Sequence, residues 1–127
     1  MRKLTTTLCL TLAVFLGSVG MSESGNFVKG SIAYDSGDYA TALSEWKPLA
    51  EQGNASAQYS LGLMYKEGRG VIQDNVYAHM WFNIAASSGG KLAVENRDIV
   101  AKEMTPSQLE KAQDLARECV RKKYKAG

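Results

Sequence analysis

Ala57-Gln58-Tyr59-Ser60-Leu61-Gly62-Leu63-Met64-Tyr65-Lys66-Glu67-Gly68-Arg69-Gly70-Val71-Ile72-Gln73-Asp74 runs directly into Asn75-Val76-Tyr77-Ala78-His79-Met80-Trp81-Phe82-Asn83-Ile84-Ala85-Ala86. Ala57, Leu61 and Tyr65 in the first half, and Ala78, Phe82 and Ala85 in the second, recur at helical spacing. Gly68 follows the first series, where a left-handed residue ends a helix without a Cβ clash. Asp74 precedes the second, where a short side-chain oxygen can accept a free N–H of the first turn. The stretch therefore reads as two helices joined by a turn. Gly62, inside the first helix, costs about 1 kcal/mol relative to alanine. It predicts close approach of a bulky neighbour, Trp81 or Phe82.

Upstream, the same pattern occurs in a shorter form. Setting Gly37 on Gly68 places Tyr34 on Tyr65, although Gly30 then lands one residue short of Gly62. Beyond the turn, Asp38, Ala42, Trp46, Ala50 and Gly53 match Asp74, Ala78, Phe82, Ala86 and Gly89 at a larger shift. The segment Arg69-Gly70-Val71-Ile72-Gln73 accounts for the difference as an insertion in the second unit. Repetition of a helix pair is the mark of a solenoid. Asp38 and Asn54 are the remaining N-caps, and Gly37, Gly53 and Gly89 the remaining helix stops. Pro48 removes one backbone donor from the helix after Asp38 and predicts a bend, not a break.

Downstream, Lys91 to Glu103 reads as a helix with Leu92, Ala93, Ile99 and Val100 available for burial. Thr105-Pro106-Ser107-Gln108 then starts another, with Thr105 as cap, Pro106 as first helical residue and Gln108 completing a capping box. Met104 and Leu109 are spaced for a hydrophobic staple. Leu109, Ala112, Ala116, Cys119 and Val120 form its apolar face. No strand or hairpin signal occurs. The expected fold is all-α, an α/α solenoid of about six helices in antiparallel pairs. Its units are 25–53, 54–89 and a degenerate repeat with a capping helix at 90–127.

Residues 1–24 stand apart. Met1-Arg2-Lys3 is basic, Leu8 to Leu16 is apolar, and Gly17, Ser18 and Gly20 are small, the order of a cleaved secretory signal. The apolar run falls short of the ~20 residues that span a bilayer; an uncleaved anchor is the alternative. Cleavage fits after Gly20, Ser22 or Ser24. Removing Arg2 and Lys3 removes the whole formal excess of +2, which leaves no electrostatic footprint for nucleic acid. Arg117, Arg121, Lys122, Lys123 and Lys125 make a basic tail, read as a solvated helix end. Cys9 leaves with the signal, so Cys119 is a small core residue of a monomer, or the link of a disulfide-bonded dimer.

Ala57, Leu61, Gly62, Tyr65, Gly68, Gly70, Val71 and Asp74, followed by Ala78, Trp81, Phe82, Ala85, Ala86 and Gly89, closely resemble the Sel-one-like repeat, a relative of the tetratricopeptide repeat. Gly30 to Gly53 resembles a shorter-looped opening unit. The helix from Gly90 fits the start of a third, with Ala93 on Ala57, but Arg97, Asp98 and Ala101 stand where Leu, Gly and Tyr are expected. The resemblance covers Phe27 to about Val100. It implies a stack whose members mostly act as adaptors, in bacteria commonly secreted or periplasmic.

The candidates for chemistry are weak. Ser44-Glu45-Trp46-Lys47 has the S-x-x-K form of penicillin-recognising serine enzymes, and β-lactam binding has been linked to some cysteine-rich relatives. The motif's S-D-N and K-T-G partners are absent. His79 is the sole histidine, expected at solvent or an interface beside the buried stripe. Three or four ligands make a metal site, and the chain supplies too few, so no metal or cofactor is expected. Gly68-Arg69-Gly70 lacks the Lys-Ser/Thr of a phosphate loop. In stacks of the type resembled, the first helix of each unit lines the concave side. Sliding by the repeat shifts makes Ile32, Leu63 and Ile99 equivalent, with Val28, Tyr59 and Glu95 as a neighbouring row and Lys66 beside them. These rows are either a groove for another protein or peptide or packing between helices. The expected function is a non-enzymatic adaptor outside the cytoplasm; a cell-envelope serine enzyme or β-lactam binder using Ser44 and Lys47 is the alternative.

The expected mature N-terminus lies between Met21 and Gly25. Mass spectrometry of envelope material should find it there; an intact Met1 would exclude cleavage.

Overall fold

The computed structural model describes residues 25–126. Residues 1–24, where a secretory signal and its cleavage positions are expected, lie outside them. The described residues form six helices and no strand: α1 (Phe27–Asp35), α2 (Tyr39–Glu51), α3 (Ala55–Glu67), α4 (Asn75–Ala86), α5 (Lys91–Ala101) and α6 (Pro106–Ala126). Each of α1 to α4 packs against the next in order, giving the helical-repeat solenoid expected.

Local hydrogen bonds fix the helix ends. The side chains of Asp38, Asn54 and Asp74 accept from first-turn N–H groups of α2, α3 and α4. Thr105 and Gln108 exchange the two bonds of the capping box at 2.9 and 3.1 Å. Gly37, Gly53, Gly68 and Gly89 all have positive φ, the region open to a residue without Cβ. Asn26, not among the expected caps, accepts from the N–H of Lys29 at the start of α1. Pro48 is buried inside an unbroken α2.

Two glycines set the helix spacing. A Cβ on Gly62 would lie 2.5 Å from the ring of Phe82, and one on Gly30 would lie 2.5 Å from Trp46 Nε1. In each pair a helix lacks a side chain where the aromatic of the following helix comes in against its backbone. Trp46 Nε1–H also donates to the Phe27 carbonyl at 3.1 Å, satisfying the one polar atom of the buried indole. Phe82 is fully buried.

The insertion after Gly68 folds back onto the first unit. Gly70 sits against Met64 and Tyr39, so close that a Cβ would be 3.0 Å from that of Tyr39. The Arg69 guanidinium lies 5.7 Å from the rings of both Tyr34 and Tyr39. Its Nη1 donates to the Tyr34 hydroxyl, which donates in turn to Glu67. The loop thus ties the two units together while leaving Ile72 in solvent.

Helix α4 is the centre of the domain, packing on α3, α5 and α6. Met80, Trp81 and Ile84 face the main core, while Ala78 and Phe82 face a second cluster with Val100. The last helix departs from the pairing expected: α6 lies mainly against α4 and makes few contacts with α5. It buries Ala112, Leu115 and Ala116, Leu115 being a core residue missing from the predicted face. Cys119 and Val120 are half-buried against the main core. In α5, Ala93 and Val100 are buried as expected, but Leu92 and Ile99 are exposed. With α6 elsewhere, nothing among the described residues covers that side of α5.

Phe82→Ala should cost about 3–5 kcal/mol as a buried aromatic truncation. Gly62→Ala should destabilise by about 1–3 kcal/mol, because overpacking against Phe82 outweighs the gain in helix propensity. In the Phe82→Ala background the same change should become neutral or stabilising. Urea unfolding of the four proteins tests this; additive effects would contradict the contact.

Candidate partner-binding face

The first helices of the units, α1, α3 and α5, share one face. Helix α3 contributes to two clefts, one shared with α1 and one with both α1 and α5. A cleft of about 160 Å³ lies toward α1, lined by Ser31, Tyr34 and Asp35 with Ser60, Leu63 and Trp46. A larger one, about 480 Å³, lies among the first turns of all three helices, with Phe27, Tyr59, Ser60, Leu92 and Ala93 in its walls.

The seven residues named from sequence are not brought together as one groove. Tyr59 and Leu63 line these clefts and are half-buried, both packed against the Phe82 cluster. Val28 and Ile32 are each 65% exposed, Ile99 is 48% exposed, and Glu95 is exposed as well. None of these four lines either cleft. Lys66 is half-buried and donates to Asn96 Oδ1 at 3.2 Å. Asn96, not singled out from sequence, also donates to the Tyr59 hydroxyl, so it ties α3 to α5.

The geometry corrects the equivalence between units by one residue. Phe27 stacks on Trp46 at 5.7 Å, as Tyr59 packs on Phe82 at 5.6 Å, and Gly30 meets Trp46 as Gly62 meets Phe82. Phe27 and Ser31 therefore stand where Tyr59 and Leu63 stand, and Val28 and Ile32 lie one step, about 100°, further round the helix. The extra residue is taken up at the helix end. Helix α1 finishes at Ser36 before the left-handed Gly37, whereas in α3 the left-handed Gly68 is itself the cap. Aligning the stop glycines hid this. The mismatch of Gly30 with Gly62 was the signal that could have found it.

His79 is also corrected. It is buried, 3% exposed, rather than at solvent, and its Nδ1 has no hydrogen-bond partner among the described residues. Helix α5 packs over this side of α4, bringing Arg97 and Asp98 into range. Burial lowers the His79 pKa, and the Arg97 charge lowers it further, while Asp98 opposes both. Ser44 is exposed on α2, and its hydroxyl donates to the Thr41 carbonyl. Among the described residues no cluster of His, Cys, Asp and Glu could hold a metal ion. None of the described helices is long and apolar enough to cross a membrane.

Comparison with known families agrees with this geometry in the second unit. Residues 55–90, which span α3, the inserted loop and α4, match the profile of the Sel1 repeat. The match supports a place in the Sel1-like repeat family. No curated protein matches the chain.

The neutral His79 predicts a pH dependence of stability. Its folded pKa lies below the unfolded value of about 6.5, so the unfolded chain takes up the proton first as pH falls. Stability should be complete above pH ~6.5 and decline as pH drops from there toward the lowered folded pKa. Thermal melts of wild type and His79→Leu should diverge in slope below that pH; parallel profiles would refute the assignment.

Proposed function

We propose that the chain is a non-enzymatic interaction module, exported from a bacterial cytoplasm, that works as a monomer and binds another protein through the face of α1, α3 and α5. The observation that carries this reading is the set of aliphatic side chains exposed along it, Val28, Ile32, Leu92 and Ile99, flanking the half-buried Tyr59 and Leu63. Large aliphatic side chains held in solvent are what a partner would cover. Sel1 repeats generally mediate protein–protein interaction, and the match at 55–90 supports the same role here. Export rests on the order of basic, apolar and small residues before Gly25. The serine-enzyme alternative gains nothing from the surroundings of Ser44.

The face is tested better at Ile32 and Ile99 than at Leu63, whose side chain belongs partly to the Phe82 cluster. Ile32→Glu and Ile99→Glu should leave stability within about 0.5 kcal/mol of wild type, as exposed substitutions do. Both should lose the partner crosslinked to wild type in envelope extract, since covering a new unpaired charge opposes association. Ile72→Glu, on the exposed loop, is the control. A partner lost with Ile72→Glu but retained by the other two would place binding elsewhere.

A further inference from the structure

Helix α5 is joined to the domain in a different way from its neighbours. The main core draws residues from α1, α2, α3, α4 and α6 and none from α5. Only Val100 of α5 enters a cluster, the smaller one with Ala78 and Phe82. Helix α5 lies along α4, makes few contacts with α6, and is tied to α3 through the bonds of Asn96 to Tyr59 and Lys66. Asn26, Asp38, Asn54, Asp74 and Thr105 cap the other described helices, whereas Gly90 before α5 offers no side-chain cap. Its departure would therefore uncover Phe82 but leave the main core closed. Segments held in this way open ahead of the rest of a domain.

Beneath this helix lies the one histidine of the chain. His79 is almost wholly enclosed, and its Nδ1 has neither solvent nor a hydrogen-bond partner among the described residues. The charged groups that act on it, Arg97 and Asp98, both belong to α5. From α3 and α6, which also pack on α4, no described charged side chain does so. Asp98 already accepts from Arg97 Nε at 3.1 Å. Arg97 Nη1 donates to Asn83, one turn along α4 from His79, at 3.2 Å. A proton added to the imidazole is thus enclosed beside a guanidinium, and the one carboxylate in range is shared with that guanidinium. Burial and like charge both oppose it. Moving α5 aside hydrates His79 and Arg97 together.

We infer that α5 is an acid-released latch: protonation of His79 detaches it from α4 while α1 to α4 and α6 stay packed. The closed form holds the imidazole neutral and the open form lets it titrate as an ordinary histidine. The latch is therefore shut above pH ~6.5 and loosens as pH falls below that value. Leu92 and Ile99 leave with α5, and Tyr59 and Lys66 lose their bonds to Asn96. Acid would then also release a partner held on the face of α1, α3 and α5. That consequence rests on the proposed partner-binding face; the latch does not.

Amide hydrogen exchange of the mature chain, followed by NMR at pH 7.5 and 5.5, tests the latch without any partner. After correction for the chemical exchange rate, opening at the Val94 to Ala101 amides should rise about fivefold to tenfold at the lower pH. Amides in the middle of α3 and α6 should change far less. His79→Leu should abolish the rise in α5. Arg97→Gln, which keeps His79 and removes its like-charged neighbour, should reduce the rise and so carries the test if His79→Leu does not fold. An equal rise in α3, α5 and α6 would mean that the proton unfolds the whole domain and would overturn the latch. So would an α5 indifferent to pH, a rise that persists in His79→Leu, or a rise undiminished in Arg97→Gln.

Discussion

The structure depends on the contact between Gly62 and Phe82 and on its counterpart, Gly30 against Trp46. Each brings an aromatic ring onto the backbone of the preceding helix, at a distance that a single Cβ would forbid. Glycine within a helix is unfavourable by about 1 kcal/mol, and burying the whole ring against the backbone offsets that several times over. Once Phe82 is in place, Tyr59 and Leu63 rest on it and are held half out of the core. Phe27 rests on Trp46 in the same way. The face of α1, α3 and α5 is therefore a consequence of two missing methyl groups.

The position of α4 decides most of what remains. A helix with Met80, Trp81 and Ile84 on one side and Ala78 and Phe82 on another has no side left for solvent, and it takes α3, α5 and α6 around it. His79 is enclosed as a result, neutral and incompletely bonded. Because α6 goes to α4, it does not cover α5, which keeps Leu92 and Ile99 in solvent. The same arrangement leaves the first turn of α5 open at Gly90, next to a cleft walled by two capped helices.

Local signals were legible because their physics closes within a few residues. A capping oxygen three positions from its N–H, or a glycine at positive φ after the last turn, is satisfied by the chain around it. Asp38, Asn54, Asp74, Thr105 with Gln108, and the stop glycines could therefore be read from sequence. The packing of Gly62 was legible for a related reason: an unfavourable residue kept in a helix implies a compensating neighbour, and Phe82 was one of two named. The seven residues of the candidate face were only partly legible, since they were aligned on the helix ends. A helix end can absorb an extra residue in its cap, and the packing contacts ran one residue out of step.

By itself the sequence determined where helices begin and end, that there are no strand signals, and that the second unit has the form of a Sel1 repeat. Tertiary structure alone decided that Phe27 and Ser31, not Val28 and Ile32, stand level with Tyr59 and Leu63. It alone decided that His79 is buried, that Leu115 is core and Leu92 is not, and that three helix N-termini meet at one cleft. Whether a side chain is covered depends on which distant helix arrives over it. That is a matter of rotation by one residue, about 100°, and of which neighbour wins the contact, neither of which is written in the spacing of a single helix.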